Sequence, residues 1–319
     1  MRRFTVSASP HVREGDSTRG IMLDVILALT PAAIFGIVAF GPRALTLYVV
    51  SIVSAVVAEY CTQRIMKRPV VIGDLSAVVT GMLLAMNLPS TAPWWIAVVG
   101  SAFAIVVVKQ LFGGLGSNFV NPALTARAVL VSCWVVRMTT TAFVSPTFWS
   151  GIDAVSGPTP LALIKSGALD QLPSFWAAFT GNISGTIGET SALTLLVGGI
   201  YLIGRRVIDW RIPVAFLGTV FAMTFFVNGA DFYMAAYALV AGGVMLAAFF
   251  MATDYVTSPI TPLGRIIMGV GCGVMVVIIR KWGGYPEGAT FAVLLMNIAT
   301  PLIDRFTKPK VFGGVKRRA

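Results

Sequence analysis

The chain has 319 residues, of which 56% are hydrophobic and only 12% charged. Soluble domains carry about 25% charged residues, so this composition excludes an ordinary soluble enzyme, a disordered chain and a coiled coil. The net charge of +11 could suggest nucleic acid, but in so apolar a chain basic residues mark cytoplasmic loops instead, and no nucleic-acid partner is expected.

The first nineteen residues, which contain the single histidine, His11, are polar and charged. They read as a cytoplasmic segment and not as a cleavable signal. A helix needs about 20 apolar residues to cross the hydrocarbon. On that rule the sequence predicts an all-α polytopic membrane protein with ten spans, near 20–41, 45–62, 73–89, 94–112, 120–138, 189–204, 212–228, 232–252, 264–280 and 288–304. The third is short and is stopped by Pro89; the eighth runs into Asp254, Pro259 and Pro262. Both are expected to be broken, which a membrane tolerates only where protein or a cavity satisfies the backbone.

Interruptions at positions three and eight suggest two five-helix halves, 20–138 and 189–304. An odd number of helices per half makes the second half inverted relative to the first. Of the 24 Lys and Arg residues, eighteen then fall at the end that holds both termini, including the basic tail 305–319. Five fall at the other end (Arg43, Arg137, Lys165, Arg280 and Lys281), and Arg127 falls inside a span. The positive-inside rule therefore predicts cytoplasmic termini, with Arg280–Lys281 unexplained. The connection 139–188, about fifty residues, is carried to the outer face. Connections this long are usually functional.

Within that loop lies Asp153-Ala154-Val155-Ser156-Gly157-Pro158-Thr159-Pro160-Leu161. As residues alone it reads as a turn, because Gly and Pro punctuate and Ser and Thr bond nearby backbone. No His or Cys stands near enough to make a nucleophile with its base. Cys61, Cys133 and Cys272 fit no metal or redox spacing and read as small residues in helix packing. Arg127 is costly in hydrocarbon and so is functional by default, with a phosphate or a buried carboxylate as its expected partner. Glu189 reads as an acid favourably placed at the start of the sixth span. Asp24, Glu59, Asp74, Asp254 and Asp304 read as solvated or snorkelling residues at cytoplasmic ends. Gly269, Gly271 and Gly273 lie in a span with no preceding strand, so helix packing is preferred to a dinucleotide loop.

Asp-x-x-Ser-Gly-x-Thr-Pro-Leu after the fifth of ten spans resembles the flavin-attachment motif of the NqrB/RnfD family. These are membrane subunits of the sodium-pumping NADH:quinone oxidoreductase and of the Rnf electron-transport complex. The stretches Gly113-Gly114-Leu115-Gly116-Ser117-Asn118-Phe119-Val120-Asn121-Pro122-Ala123 and Gly185-Thr186-Ile187-Gly188-Glu189-Thr190-Ser191-Ala192-Leu193 resemble two further family motifs in the same order. Length and the lack of a long N-terminal extension resemble the RnfD branch.

The resemblance implies FMN held through a phosphoester on Thr159 and placed there by a flavin transferase. Asp153, Ser156 and Gly157 would be recognition and positioning residues, and Arg127 a candidate partner of the flavin phosphate. Pro158 departs from the alanine usual in the family, and it disfavours the α region for Gly157. A second, non-covalent flavin such as riboflavin is left open by the NqrB likeness. The implied function is an electron-carrying subunit of a ferredoxin/NAD oxidoreductase in a bacterial inner membrane, coupled to sodium or proton translocation. It would work with other Rnf-type subunits, because this chain shows no nicotinamide site or iron–sulfur ligand set. The alternative is a channel or transporter of inverted-repeat fold without a redox role, which has no reason to carry the 153–161 loop.

Overall fold

A computed structural model describes residues 17–139, 143–148, 157–285 and 287–308. His11, Asp153, Ser156 and the basic tail beyond residue 308 lie outside the described residues. The fold is all-α, and apolar helices fall within each of the ten predicted segments. They are α1 (Thr18–Phe40), α2 (Pro42–Ile65), α3 (Ser76–Met86), α4 (Trp94–Gln110), α5 (Pro122–Cys133) and, after the short helices α6 (Val135–Met138), α7 (Pro160–Ser166) and α8 (Phe175–Thr180), a second set. That set is α9 (Ala192–Gly204), α10 (Arg211–Val227), α11 (Phe232–Val240), α12 (Val244–Met251), α13 (Pro262–Trp282) and α14 (Ala289–Thr307). Four of these helices are long and apolar enough to cross a membrane alone, and the bent pair α11–α12 makes a fifth such segment.

The outer surface carries the membrane signature. Leu23, Leu27, Ile34 and Val38 on α1 and Leu45, Val49, Val53 and Val57 on α2 all face outward. An apolar stripe of that length is costly in water and is expected against lipid. The interior is closed by small residues. A Cβ on Gly273 would lie 2.6 Å from Thr219 Cβ and 3.0 Å from the Phe216 carbonyl, so α13 rests directly on the backbone of α10. Gly273→Leu should therefore cost about 1–3 kcal/mol by overpacking, read as a lower melting temperature of the detergent-purified chain. Gly218→Ala, where the space is open, should leave the melting temperature unchanged.

Two interruptions shape the middle of the molecule. The first is the end of α3 at Met86, where Pro89 forbids continuation. Its orphaned carbonyls are met from the segment before α9: Ile187 N–H donates to Leu88 O (3.0 Å) and Gly188 N–H to Met86 O (2.9 Å). The second lies between α11 and α12, which meet at 65°. The bend falls at Ala241–Gly243 and not near Asp254, Pro259 and Pro262 as the proline pattern suggested. Gly242 takes the left-handed conformation there (φ +73°), which glycine adopts without a Cβ penalty. Arg280 donates to the Ala238 (2.8 Å) and Ala241 (2.9 Å) carbonyls at the bend. The basic residue that the charge rule left unexplained thus caps a broken helix.

At the end that holds the first and last described residues, contacts tie the helices together. Asp24 accepts from Tyr201 (2.9 Å) and Arg205 (3.2 Å). Asp209 receives Arg211 (2.8 Å) and Arg265 (2.6 Å). Burial pushes the Asp209 carboxyl up, but the Arg211 N–H and the two guanidinium groups hold it below its ordinary value.

Candidate functional site

Arg127 stands one and a half turns into α5, a helix started by Asn121, whose side chain accepts from Ala123 N–H (3.0 Å) and Leu124 N–H (3.2 Å). Its guanidinium is 5% exposed and serves three acceptors from three separate parts of the chain. One nitrogen donates to Asn87 Oδ1 at the broken end of α3 (2.5 Å) and to Glu189 Oε1 before α9. The other donates to Glu287 Oε2 before α14. Glu287 also accepts from Gly243 N–H at the start of α12 (3.1 Å). A side chain at Gly243 would collide with the Glu189 carboxylate, so both helix interruptions and both acids converge on one cation. Only the planar five-donor fork of arginine reaches three acceptors in this way.

Two carboxylates against one guanidinium would leave net negative charge in a buried place. Arg280, whose charge acts on both Glu189 and Glu287, balances it. The expectation for Arg127 is met by carboxylates. The reading of Glu189 as a favourable helix-end acid is corrected: its side chain is 4% exposed and holds Arg127. Glu287 and Asn87 escaped the sequence reading. The available signal was an acid in a Gly- and Pro-rich turn on the side where few charges occur.

Above this cluster lies a cavity of about 840 Å³, counting its open mouth. Arg127, Glu189 and Glu287 line its base, and Met138, Phe143, Ile183, Tyr285 and Phe291 its walls. Thr159 lines the same cavity. It is the cap residue of α7, with extended backbone (φ −69°, ψ 154°) and a hydroxyl that accepts from Ala162 N–H (3.3 Å). Pro160 follows as the first helical residue, where its missing N–H costs nothing. Gly157 N–H donates to Phe143 O (3.1 Å), which pins the loop to the cavity wall. Thr186 Oγ1, buried and without a hydrogen-bond partner, also lines it. Apolar walls, an unsatisfied hydroxyl and a base in which Arg127 is shared between two carboxylates suit a flat heteroaromatic ring with polar edges.

A second cavity of about 780 Å³ opens toward the opposite end. It is lined by Phe249 and Phe250 together with Lys109, Asn118, Asn121 and Asp254. Beside it Glu59, expected to be solvated, is 1% exposed. It pairs with Lys109 at 2.7 Å and accepts from Gln110 at 2.7 Å. The solvated reading of Glu59 is therefore corrected; Lys109, counted among the eighteen basic residues of the cytoplasmic end, is 2% exposed. Ala123 borders the second cavity and Arg127 the first, so about 6 Å of helix axis separates them.

Residues 5–313 match the family model described as NQR2, RnfD, RnfE family. The chain is 52% identical over 315 residues to the D-type subunit of a Na(+)-translocating ferredoxin:NAD(+) oxidoreductase complex from Acetobacterium woodii, covering 98% of this chain and 96% of that protein. It is 44% identical over 321 residues to the D-type subunit of a proton-translocating ferredoxin:NAD(+) oxidoreductase complex from Clostridium ljungdahlii, covering 97% and 96%. The corresponding D-type protein of an ion-translocating oxidoreductase complex from Halorhodospira halophila is 40% identical over 337 residues, covering 96% and 94%.

Proposed function

The chain belongs to the NQR2, RnfD, RnfE family, and from that premise we propose that it is the D-type membrane subunit of an ion-translocating electron-transport complex, carrying electrons through FMN esterified to Thr159. The observation that carries the FMN reading is the meeting of Thr159 and Arg127 at one cavity with apolar walls. Bound there, FMN supplies one- and two-electron redox chemistry, while the protein supplies position and shielding. Thr159 offers the hydroxyl for the ester. Met138, Phe143 and Phe291 exclude water from the ring, and Arg127 sets the electrostatics beneath it. Asp153, Ser156 and Gly157 are read as the recognition segment for a flavin transferase. The second cavity, with its aromatic walls and the amides of Asn118 and Asn121, suits a non-covalent flavin such as riboflavin.

Ferredoxin and NAD meet partner subunits in this reading, and electrons reach this chain through them. The coupling ion is sodium or protons; the two relatives from Acetobacterium woodii and Clostridium ljungdahlii differ on this point in their names. The chain lies in the bacterial inner membrane with both termini cytoplasmic and the flavin loop outside.

Two experiments test the reading. The chain co-expressed with a flavin transferase should give a fluorescent band in a denaturing gel and a Thr159 peptide heavier by one FMN less one water; an unmodified Thr159 would remove the assignment. Released non-covalent flavin is identified in the supernatant of the same denatured sample. For orientation, cysteines are introduced singly at Ser166 and Lys67, both exposed, in a chain lacking Cys61 and Cys133. A membrane-impermeant thiol reagent should label position 166 in intact spheroplasts and position 67 only after lysis. The reverse pattern would turn the molecule over.

A further inference from the structure

A third cavity lies between α7, α10, α11 and α13 and measures about 820 Å³ including its mouth. Three cations line it, Lys165, Arg280 and Lys281, and much of the remaining wall is apolar, with Leu161, Val227 and Val277 among its residues. The cations are held by neutral groups. Lys165 Nζ donates to Gly283 O (2.5 Å), Lys281 Nζ to Asn228 Oδ1 (3.3 Å), and the Arg280 guanidinium to Ala238 O and Ala241 O. Arg280 feels Glu287 and Glu189 electrostatically from the neighbouring site. Among the described residues none of the three forms an ion pair, and Arg280 Nε is buried without a hydrogen-bond partner.

Three of the five basic residues at the charge-poor end of the molecule thus surround one space without a carboxylate in its lining. The level of this space in the bilayer is marked by a chain neighbour. Trp282, the last residue of α13, is 67% exposed, and an exposed tryptophan at a span end sits in the headgroup layer. A cationic, apolar-walled space at headgroup depth fits an anion that carries a hydrocarbon tail. We propose that this cavity binds the phosphodiester headgroup of an anionic phospholipid, with an acyl chain against its apolar wall. Basic pockets between membrane helices recognise such headgroups by charge and by hydrogen bonding to phosphate oxygens. Bound lipid would tie α7, which follows Thr159 directly, to the ends of α10 and α13.

The test uses the full-length chain in neutral detergent after delipidation. Thermal unfolding is followed against added phosphatidylglycerol, phosphatidylcholine or inorganic phosphate, for the wild type and for the double variant Lys165→Gln/Lys281→Gln. Arg280 is kept, because it caps α11. Phosphatidylglycerol should raise the melting temperature more than phosphatidylcholine does, and half-saturation should need at least fivefold more lipid in the double variant. Native mass spectrometry of the wild type gives a readout independent of the variant's folding: phosphatidylglycerol should be retained where phosphatidylcholine is not. Equal effects of the two lipids, or an unchanged titration in the variant, would overturn the proposal. A full shift from inorganic phosphate alone, with nothing added by phosphatidylglycerol, would assign the space to a free anion and overturn the lipid.

Discussion

Thr159→Ala should give a membrane-inserted chain whose flavin fluorescence in a denaturing gel falls to background, and a complex whose ferredoxin-to-NAD electron transfer fails with it. The ester needs a hydroxyl, and alanine has none. Thr159 is also the cap of α7, so alanine removes a hydrogen bond worth about 1 kcal/mol and could displace the loop by that route. Thr159→Asn separates the two effects: its side-chain oxygen caps a helix as well as threonine does but cannot carry the phosphoester. Both variants should lose the flavin, and only the alanine variant should loosen α7, seen as faster amide exchange over Leu161–Leu163. A fluorescent asparagine variant would move the attachment elsewhere.

The second large effect is expected at Arg127. Removing one partner of a buried ion pair leaves the other charged and unpaired, at a cost of about 3–5 kcal/mol. Arg127→Met strands Glu189, Glu287 and Asn87 together, so the melting temperature of the purified chain should fall steeply. The two acids are not equivalent: the Glu189 side chain is 4% exposed and that of Glu287 26%. Water reaches Glu287 and relieves it in part. In a double-mutant cycle, Glu189→Gln should therefore recover more of the Arg127→Met loss than Glu287→Gln does. Equal recovery would mean that the base of the cavity is evenly solvated. Arg127→Lys should fall between, since an ammonium keeps the charge but does not span acceptors on three sides.

The two residues were singled out in the sequence for different reasons, and the structure places both at one cavity. Thr159 was reached through a motif, and Arg127 through the cost of a charge within an apolar run. Its acceptors were not legible, because Asn87 and Glu287 lie 40 and 160 residues away in the chain and no local periodicity reports such a pairing. Glu59 was misjudged for a related reason. Hydropathy locates the apolar residues, but it does not say how deep a helix end lies, and Lys109 meets Ser76 at the buried start of α3 (2.6 Å). The bend between α11 and α12 was assigned too late in the chain. Prolines advertise the end of α12, whereas the bend needs only the backbone freedom of Gly242 and a distant arginine to take up the loose carbonyls. The helical segments themselves followed from apolar run length, a property of the residues in place that no tertiary contact has to supply.

The two cavities on either side of α5 have an electrical consequence. A voltage across a bilayer falls mainly over its insulating part, which for a plain hydrocarbon core is about 30 Å thick. Where polarisable contents enter from both ends, the insulating layer shrinks toward the stretch of α5 between Ala123 and Arg127, about 6 Å. The local field there is then about five times that in the surrounding lipid. Charge that moves across this short stretch works against nearly the whole potential, about 2.3 kcal/mol per elementary charge per 100 mV. With both cavities filled from their open ends, the potential is concentrated on Arg127, Glu189 and Glu287, the groups that line the base of the first cavity.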